Sequence, residues 1–346
     1  MRVSRLDKLF LTKHLATMIK AGVPLSEALN TVSEQATPDL ATLLKKIEED
    51  VENGMNLATS MKKYPKVFDT FYVSLIAAGE ASGTLEENLR FLAIQLNKDY
   101  ILSKKISGAL FYPGLVISAT VIMGTIISWF VLPQLADLFT SFDVALPLST
   151  RILLGFAALM KNYGGLIIFG MIGLVFLLVF ILRIKPIRYL FDSWIIKWPF
   201  VGKIVVDGEM ARFSRNLGTL LSSGIPVVNA MEITRDTLSN LRFKKDLKEI
   251  IEKVSEGKNI SLAMDTKKHS EFSRMSTKMV EVGEKTGKLD EILIYLSDYY
   301  EEEIEDVSKN LSNILEPILL LIIGVVVAFV ALAIITPIYS LIGGIK

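Results

Sequence analysis

One eleven-residue pattern is written twice in this chain, and any fold must accommodate both copies. Residues 79–89 carry Gly79, Glu80, Gly83, Leu85, Glu87 and Leu89 in the order G-E-x-x-G-x-L-x-E-x-L. Gly283, Glu284, Gly287, Leu289, Glu291 and Leu293 repeat it 204 positions later. The likeness spreads outward. "KAGVPLSEAL" (20–29) matches "SSGIPVVNAM" (222–231) at an offset of 202, and "GMNLATSM" (54–61) matches "GKNISLAM" (257–264) at 203. Pro113 aligns with Pro317 at 204. An offset that drifts by two residues over this distance marks the tandem duplication of one whole module.

The local signals inside a module are helical. Gly22 and Gly224 stand where a helix should end, and Pro24 and Pro226 follow where the next should begin. Thr84 and Glu87 have capping-box spacing and open a helix through Leu85, Leu89, Leu92 and Leu96. Leu11, Leu15, Met18 and Ile19 share one face of an N-terminal amphipathic helix, and with charges running through it this stretch does not read as a cleaved signal peptide. These signals predict about six helices, near 4–21, 24–36, 38–53, 55–63, 67–80 and 84–107, with a similar set from 208 to 312. Strand-like alternation is not evident, so the expected class is all-α.

The chain is 51% hydrophobic yet 22% charged, which fits if the apolar residues are gathered in blocks. Uncharged runs occupy 106–136, 162–182 and 317–345, and a spanning helix needs about 20 apolar residues. The expectation is a polytopic membrane protein with three transmembrane helices, 108–136, 162–182 and 313–338, and two homologous six-helix cytoplasmic bundles, 1–107 and 183–312. Residues 137–161 would form a short external loop and 339–346 an external tail. Lys98, Lys104 and Lys105 before the first run, and Arg183, Lys185, Arg188, Lys197 and Lys203 after the second, set that orientation. The middle helix then returns the chain, so both modules share one polarity, unlike an inverted repeat. The last helix of each module runs towards its span.

Chemistry is sparse. No cysteine excludes disulfides and thiolate sites, and a net charge of +1 gives no reason to expect nucleic acid. "GEKTGK" (283–288) is not a phosphate loop, because three residues separate its glycines and Leu289 follows Lys288. No nucleophile–base–metal set is visible, so neither an enzyme nor a cofactor is expected. His14, whose repeat partner is Asn216, reads as a surface or satisfied polar residue, and His269 as a loop residue. The run Glu301–Glu303 with Glu305 and Asp306 reads as a solvated face, or less readily as a dock for a basic partner.

The doubled motif reads as a helix stop, a tight turn and a fresh helix start, with Glu80 or Glu284 close to the positive end of the next helix. The sharper reading is a carboxylate that meets a partner or a hard cation. One carboxylate is fewer oxygens than a calcium site uses, so a structural corner is favoured over a metal. No ionisable residue interrupts the centre of the uncharged runs, which counts against the alternative of a transporter or flippase. Glu316 sits at a margin and reads as interfacial.

Two copies of "AGxP" and "GExxGxLxExL", each followed by a Pro-started apolar run, resemble the type II secretion system F / type IV pilus PilC platform family. The resemblance implies an inner-membrane, multi-pass platform protein with its N-terminus cytoplasmic and its C-terminus external. It implies pilus assembly, secretion or DNA uptake, with partners in a cytoplasmic hexameric assembly or retraction ATPase, pilins or pseudopilins, other inner-membrane machine components and membrane lipids, and a homo-oligomeric state. Some relatives bind a metal near the glutamate that matches Glu80. Glu80, Gly83, Leu85, Glu284, Gly287 and Leu289, with Gly22, Pro24, Gly224 and Pro226, are the positions expected to carry partner contacts or the structural turns. Relatives often have a longer leader before the first helix.

Overall fold

The computed structural model describes residues 3–127, 129, 148–181, 184–198, 201–264, 269 and 271–343. Among them are fourteen helices and no strand. The first module contributes α1 (Arg5–Lys20), α2 (Leu25–Gln35), α3 (Pro38–Glu52), α4 (Leu57–Lys62), α5 (Thr70–Ser82) and α6 (Leu85–Ile126). Then come α7 (Leu148–Ile181) and α8 (Lys185–Ile195). The second module contributes α9 (Val201–Ser222), α10 (Val227–Thr237), α11 (Leu241–Ser255), α12 (Ile260–Ala263), α13 (Arg274–Thr286) and α14 (Leu289–Gly343).

Local chemistry sets these boundaries. A capping box at Ser4 and Asp7 opens α1, and Asp69 accepts from the Tyr72 amide to open α5. Gly22 ends α1 at a φ of 80°, where a side chain would be strained. Around it the Val23 amide reaches back to the Met18 carbonyl and the Gly22 amide to Ile19, the double closure of a Schellman turn. Ile225 to Leu220 and Gly224 to Leu221 repeat it at the end of α9.

The chain divides into two compact units, residues 1–105 with 189–307, and residues 106–188 with 308–346. The first unit holds both bundles. Their cores are filled by matching residues: Leu15 and Leu217, Leu29 and Met231, Ile47 and Ile250, Phe68 and Phe272, Leu89 and Leu293 are all buried. Spacing that repeats in sequence therefore repeats in space. Within this unit α5 packs on α10. Lys98 reaches Asp298 at 2.8 Å and Glu301 at 3.2 Å, joining the bundles by an ion pair of modest strength.

In the second unit many described apolar side chains are exposed, among them Phe111, Val121, Ile122, Leu166, Phe169, Phe176, Leu320 and Leu321. Among the described residues, however, no helix is long and apolar enough to cross a membrane. This corrects the expectation of three transmembrane helices at 108–136, 162–182 and 313–338. An uncharged run shows where apolar residues concentrate, whereas a span needs them unbroken along one helix. Ser118, Thr120 and Thr125 interrupt the run in α6, where Thr120 and Thr125 bond back to the Val116 and Val121 carbonyls. Arg151 and Lys161 stand in the first half of α7, ahead of the expected span, and Gly164, Gly165, Gly170 and Gly173 stand in the second half. Residues 128 and 130–136 of the first expected span, 137–147 of the expected external loop, 182 of the second expected span, Arg183 of the basic run and 344–346 of the expected tail lie outside the described residues.

The matched cores predict that Leu89→Ala and Leu293→Ala, both at fully buried positions, each destabilise the protein by about 2–5 kcal/mol. Hydrogen exchange should show amides of the altered bundle losing protection first. Equal loss in both bundles from either change would mean that the shared buried cluster opens as one unit.

Candidate functional site

The doubled motif builds the same corner in each bundle. Gly79 lets α5 and α6 approach so closely that a Cβ on it would lie 2.9 Å from the Leu85 Cα, and one on Gly283 would lie 3.0 Å from the Leu289 Cα. Gly83 and Gly287 then cap α5 and α13 in the left-handed region, at φ of 74° and 71°. Leu85 and Leu289 begin the next helices and pack half-buried against the cores. The first glycine thus sets distance and the second sets direction.

The carboxylates do something the motif alone does not reveal. Glu80 accepts the backbone amide hydrogens of Leu57 at 2.6 Å and Ala58 at 2.9 Å, the first two residues of α4. Glu284 does the same for Ile260 and for Ser261 at 3.1 Å, and also accepts the Ser261 hydroxyl. Asn56 and Asn259 hold the N-cap positions of these short helices but make no side-chain cap bond. The glutamates supply the missing acceptors from more than twenty residues downstream, and their charge meets the positive helix end. The positive end is therefore that of α4 and α12, not that of the following helix as expected. Thr84 shares a hydrogen bond with the Ser82 hydroxyl at 2.7 Å, and Glu87 lies 3.9 Å from Arg90.

All four carboxylate oxygens of Glu80 and Glu284 accept hydrogens, and no group of three or more metal-binding side chains stands among the described residues.

Pro24 and Pro226 occupy the N-cap positions of α2 and α10, after Gly22 and Gly224. The Ser223 hydroxyl donates to Asn88 Oδ1 at 2.9 Å, so the Gly224–Pro226 turn of the second bundle is brought against the Gly83–Leu85 corner of the first. Asn88 in turn donates to the Leu75 carbonyl at 2.9 Å, fastening α6 to α5. Glu87 and Glu291 stay exposed in the first turn of the helix after each corner. Fully internal roles thus fall to Gly79, Glu80, Gly283 and Glu284, while the pair left to solvent is Glu87 and Glu291.

Charged residues elsewhere differ from the expectation. The acidic run of α14 is not wholly solvated: Glu301 pairs with Lys98 and Arg215, and Glu303 pairs with Lys203 at 2.5 Å. His269 is buried, its Nδ1 3.5 Å from Asp246 Oδ1, and Arg242 lies 3.1 Å from Asp246 and 3.3 Å from Glu271. The repeat partner of Asp246 at offset 203 is Leu43, a core residue, so this polar cluster belongs to the second bundle alone. Arg242 and Asp246 share α11 at i,i+4 spacing, whereas His269 and Glu271 come from outside that helix and no local signal marks them. His14 stacks on Phe10 with ring centroids 4.3 Å apart.

A second divergence lies between Arg5 and its repeat partner Asp207. Arg5 helps offset the half-buried Asp99, whereas Asp207 faces Glu303, the repeat partner of Asp99. Asp207 is buried and its Oδ2 has no hydrogen-bond partner. Burial pushes its carboxyl up to about 6, with Lys203 opposing and Glu303 reinforcing the shift.

The chain was compared with known proteins. The family model described as Type II secretion system (T2SS), protein F matches residues 11–133 and 213–337, segments that begin 202 and end 204 residues apart. The chain is 33% identical to the type IV pilus assembly protein PilC of Pseudomonas aeruginosa, over 98% of its own length and 91% of that protein. It is 32% identical to the type IV pilus assembly protein TapC of Aeromonas hydrophila, over 98% and 82%. It is 30% identical to the type II secretion system protein F of Vibrio cholerae, over 98% and 83%.

The Asp207 environment predicts a pH effect. A raised carboxyl favours the protonated form in the fold, so its stabilising contribution is complete below the ordinary carboxylate value and is lost as pH rises through about 6. Asp207→Asn should therefore stabilise the protein above pH 6, by on the order of 1–2 kcal/mol, and lose that advantage near pH 4. Thermal unfolding across pH measures this, and a stability difference independent of pH would refute it.

Proposed function

The chain belongs to the type II secretion system protein F family, and on that premise we propose that its bundles couple a cytoplasmic motor to fibre assembly. Its relatives are type IV pilus assembly and type II secretion proteins, which gives the chain an inner-membrane platform role in pilus or secretion machinery. The two bundles, residues 1–107 and 183–312, work on the cytoplasmic side, where a hexameric ATPase engages them. Pilins or pseudopilins are the cargo that the platform helps to insert or withdraw. The platform's part is mechanical: nucleotide chemistry belongs to the motor.

The observation that carries this reading is the duplicated corner. In each bundle a glycine contact, a carboxylate clamp and a left-handed glycine fix the angle between α5 and α6, or between α13 and α14. Beyond each corner a single helix runs on, Leu85–Ile126 or Leu289–Gly343. A stiff corner joined to a continuous helix transmits a push on the bundle into that helix instead of absorbing it in the turn. The exposed Glu87 and Glu291, at the root of each such helix, present the same charge to the motor twice.

Complementation of a platform-deleted host with Glu87→Arg/Glu291→Arg tests this. The expected result is loss of fibres and of ATPase co-purification, at least tenfold, while the protein accumulates normally; tenfold corresponds to about 1.4 kcal/mol. Wild-type fibre numbers and ATPase capture would overturn the reading.

A further inference from the structure

Helix α8, with the turn that follows it, exposes an aromatic stripe. Ile187, Leu190, Phe191 and Trp194 recur at helical spacing, and Trp198 extends the line one turn on. Leu190 is 68% exposed, Trp194 52% and Trp198 48%. The rings form one ridge: Trp194 and Trp198 have centroids 4.8 Å apart, and Phe191 and Trp194 6.5 Å.

The other side of the helix is fastened down. The Asp192 carboxylate accepts the Leu241 amide hydrogen at 2.8 Å, and its carbonyl accepts from the Asn240 side chain at 3.2 Å. Lys245 stands 5.6 Å from the centre of the Tyr189 ring. At 100° per residue, Tyr189 and Asp192 project roughly opposite the stripe, so these contacts with the start of α11 turn the aromatic ridge outward. Arg188 and Lys197, both exposed, flank the ridge on its two sides.

We propose that α8 lies along the surface of an anionic lipid bilayer, with Leu190, Phe191, Trp194 and Trp198 in the boundary between headgroups and acyl chains. Its eleven residues reach only about 17 Å, against roughly 30 Å of hydrocarbon, so the helix rests in the plane of the surface. Tryptophan favours that boundary because its ring is apolar and its indole N–H seeks a polar partner. Arg188 and Lys197 meet anionic headgroups there, which is the charge arrangement of an interfacial helix. The platform reading already places the protein at a membrane, and the proposal rests on that placement. It adds which surface touches lipid: a docked helix that holds the start of α11, and through it the second bundle, against the bilayer.

The chain has three tryptophans, so Trp129→Phe leaves emission from Trp194 and Trp198 alone. The full-length variant, with its helix content checked by circular dichroism, is reconstituted in phosphatidylcholine–phosphatidylglycerol vesicles. Phospholipid brominated near the top of the acyl chain is the quencher. The proposal predicts about a twofold loss of emission relative to unbrominated vesicles, and little quenching by aqueous iodide. Adding Arg188→Glu/Lys197→Glu should restore most of the emission, and no restoration would overturn the part assigned to anionic headgroups. Quenching by iodide but not by bromolipid would place the ridge in water, and quenching by neither would place a protein on it; both overturn the proposal. Flotation with the vesicles separates the two levels. A chain that floats with an unquenched ridge defeats this proposal and spares the platform reading, whereas a chain that does not float defeats both.

Discussion

Two carboxylates accepting the first amide hydrogens of two very short helices are the constraint on which the bundle architecture depends. Helix α4 has six residues and α12 has four, too few to be stable alone. Each needs its N-terminal amides satisfied, and each has an asparagine at the N-cap that does not do it. Glu80 and Glu284 reach across from α5 and α13 and close those ends. Because each glutamate lies three residues before the left-handed glycine, the same few residues set both the position of the short helix and the angle of the long one. Gly79 and Gly283 complete the lock by admitting the next helix to backbone contact. The motif is duplicated as a block because its parts act on one another. Moving the glycine without the glutamate would aim the long helix correctly and leave the short helix open.

The parts legible in the sequence were those governed by neighbours along the chain. Gly22, Gly83, Gly224 and Gly287 signal helix ends because a left-handed backbone is a local demand, and all four have positive φ. Pro24 and Pro226 mark helix starts for an equally local reason. The destination of the Glu80 carboxylate was not legible, since the amides it serves lie 22 and 23 residues earlier and only the folded bundle brings them together. The same holds for Glu301, read as a solvated acid until Lys98 and Arg215 arrive from other helices. The spans failed differently. Counting uncharged residues locates an apolar run and not a span, and among the described residues no helix is long and apolar enough to cross a membrane.

The two bundles share a frame but not a charge pattern. Core pairs such as Leu15 with Leu217, Phe68 with Phe272 and Leu89 with Leu293 are kept between copies, whereas Leu43 answers to Asp246 and Arg5 to Asp207. The second bundle carries the buried cluster of Arg242, Asp246, His269 and Glu271, where burial and the neighbouring Asp246 push the Glu271 carboxyl up. Charges buried in this way contribute little net stability when paired and destabilise strongly when one partner is lost. The first bundle has Asp39, Leu43, Pro65 and Val67 at these places, so it lacks the buried carboxylates and the buried histidine. Duplication therefore left one geometry with two chemistries, and the second bundle is tied to α8 through Asp192.

The clamp is tested most directly by amide hydrogen exchange at Leu57, Ala58, Ile260 and Ser261 in the Glu80→Ala/Glu284→Ala protein. The account predicts that these four amides lose protection by roughly five- to thirtyfold, the effect of about 1–2 kcal/mol, while Leu89 and Leu293 keep theirs. Unchanged exchange at the four amides would mean that the carboxylates do not hold the short helices, and the corner would have to be explained by its glycines alone.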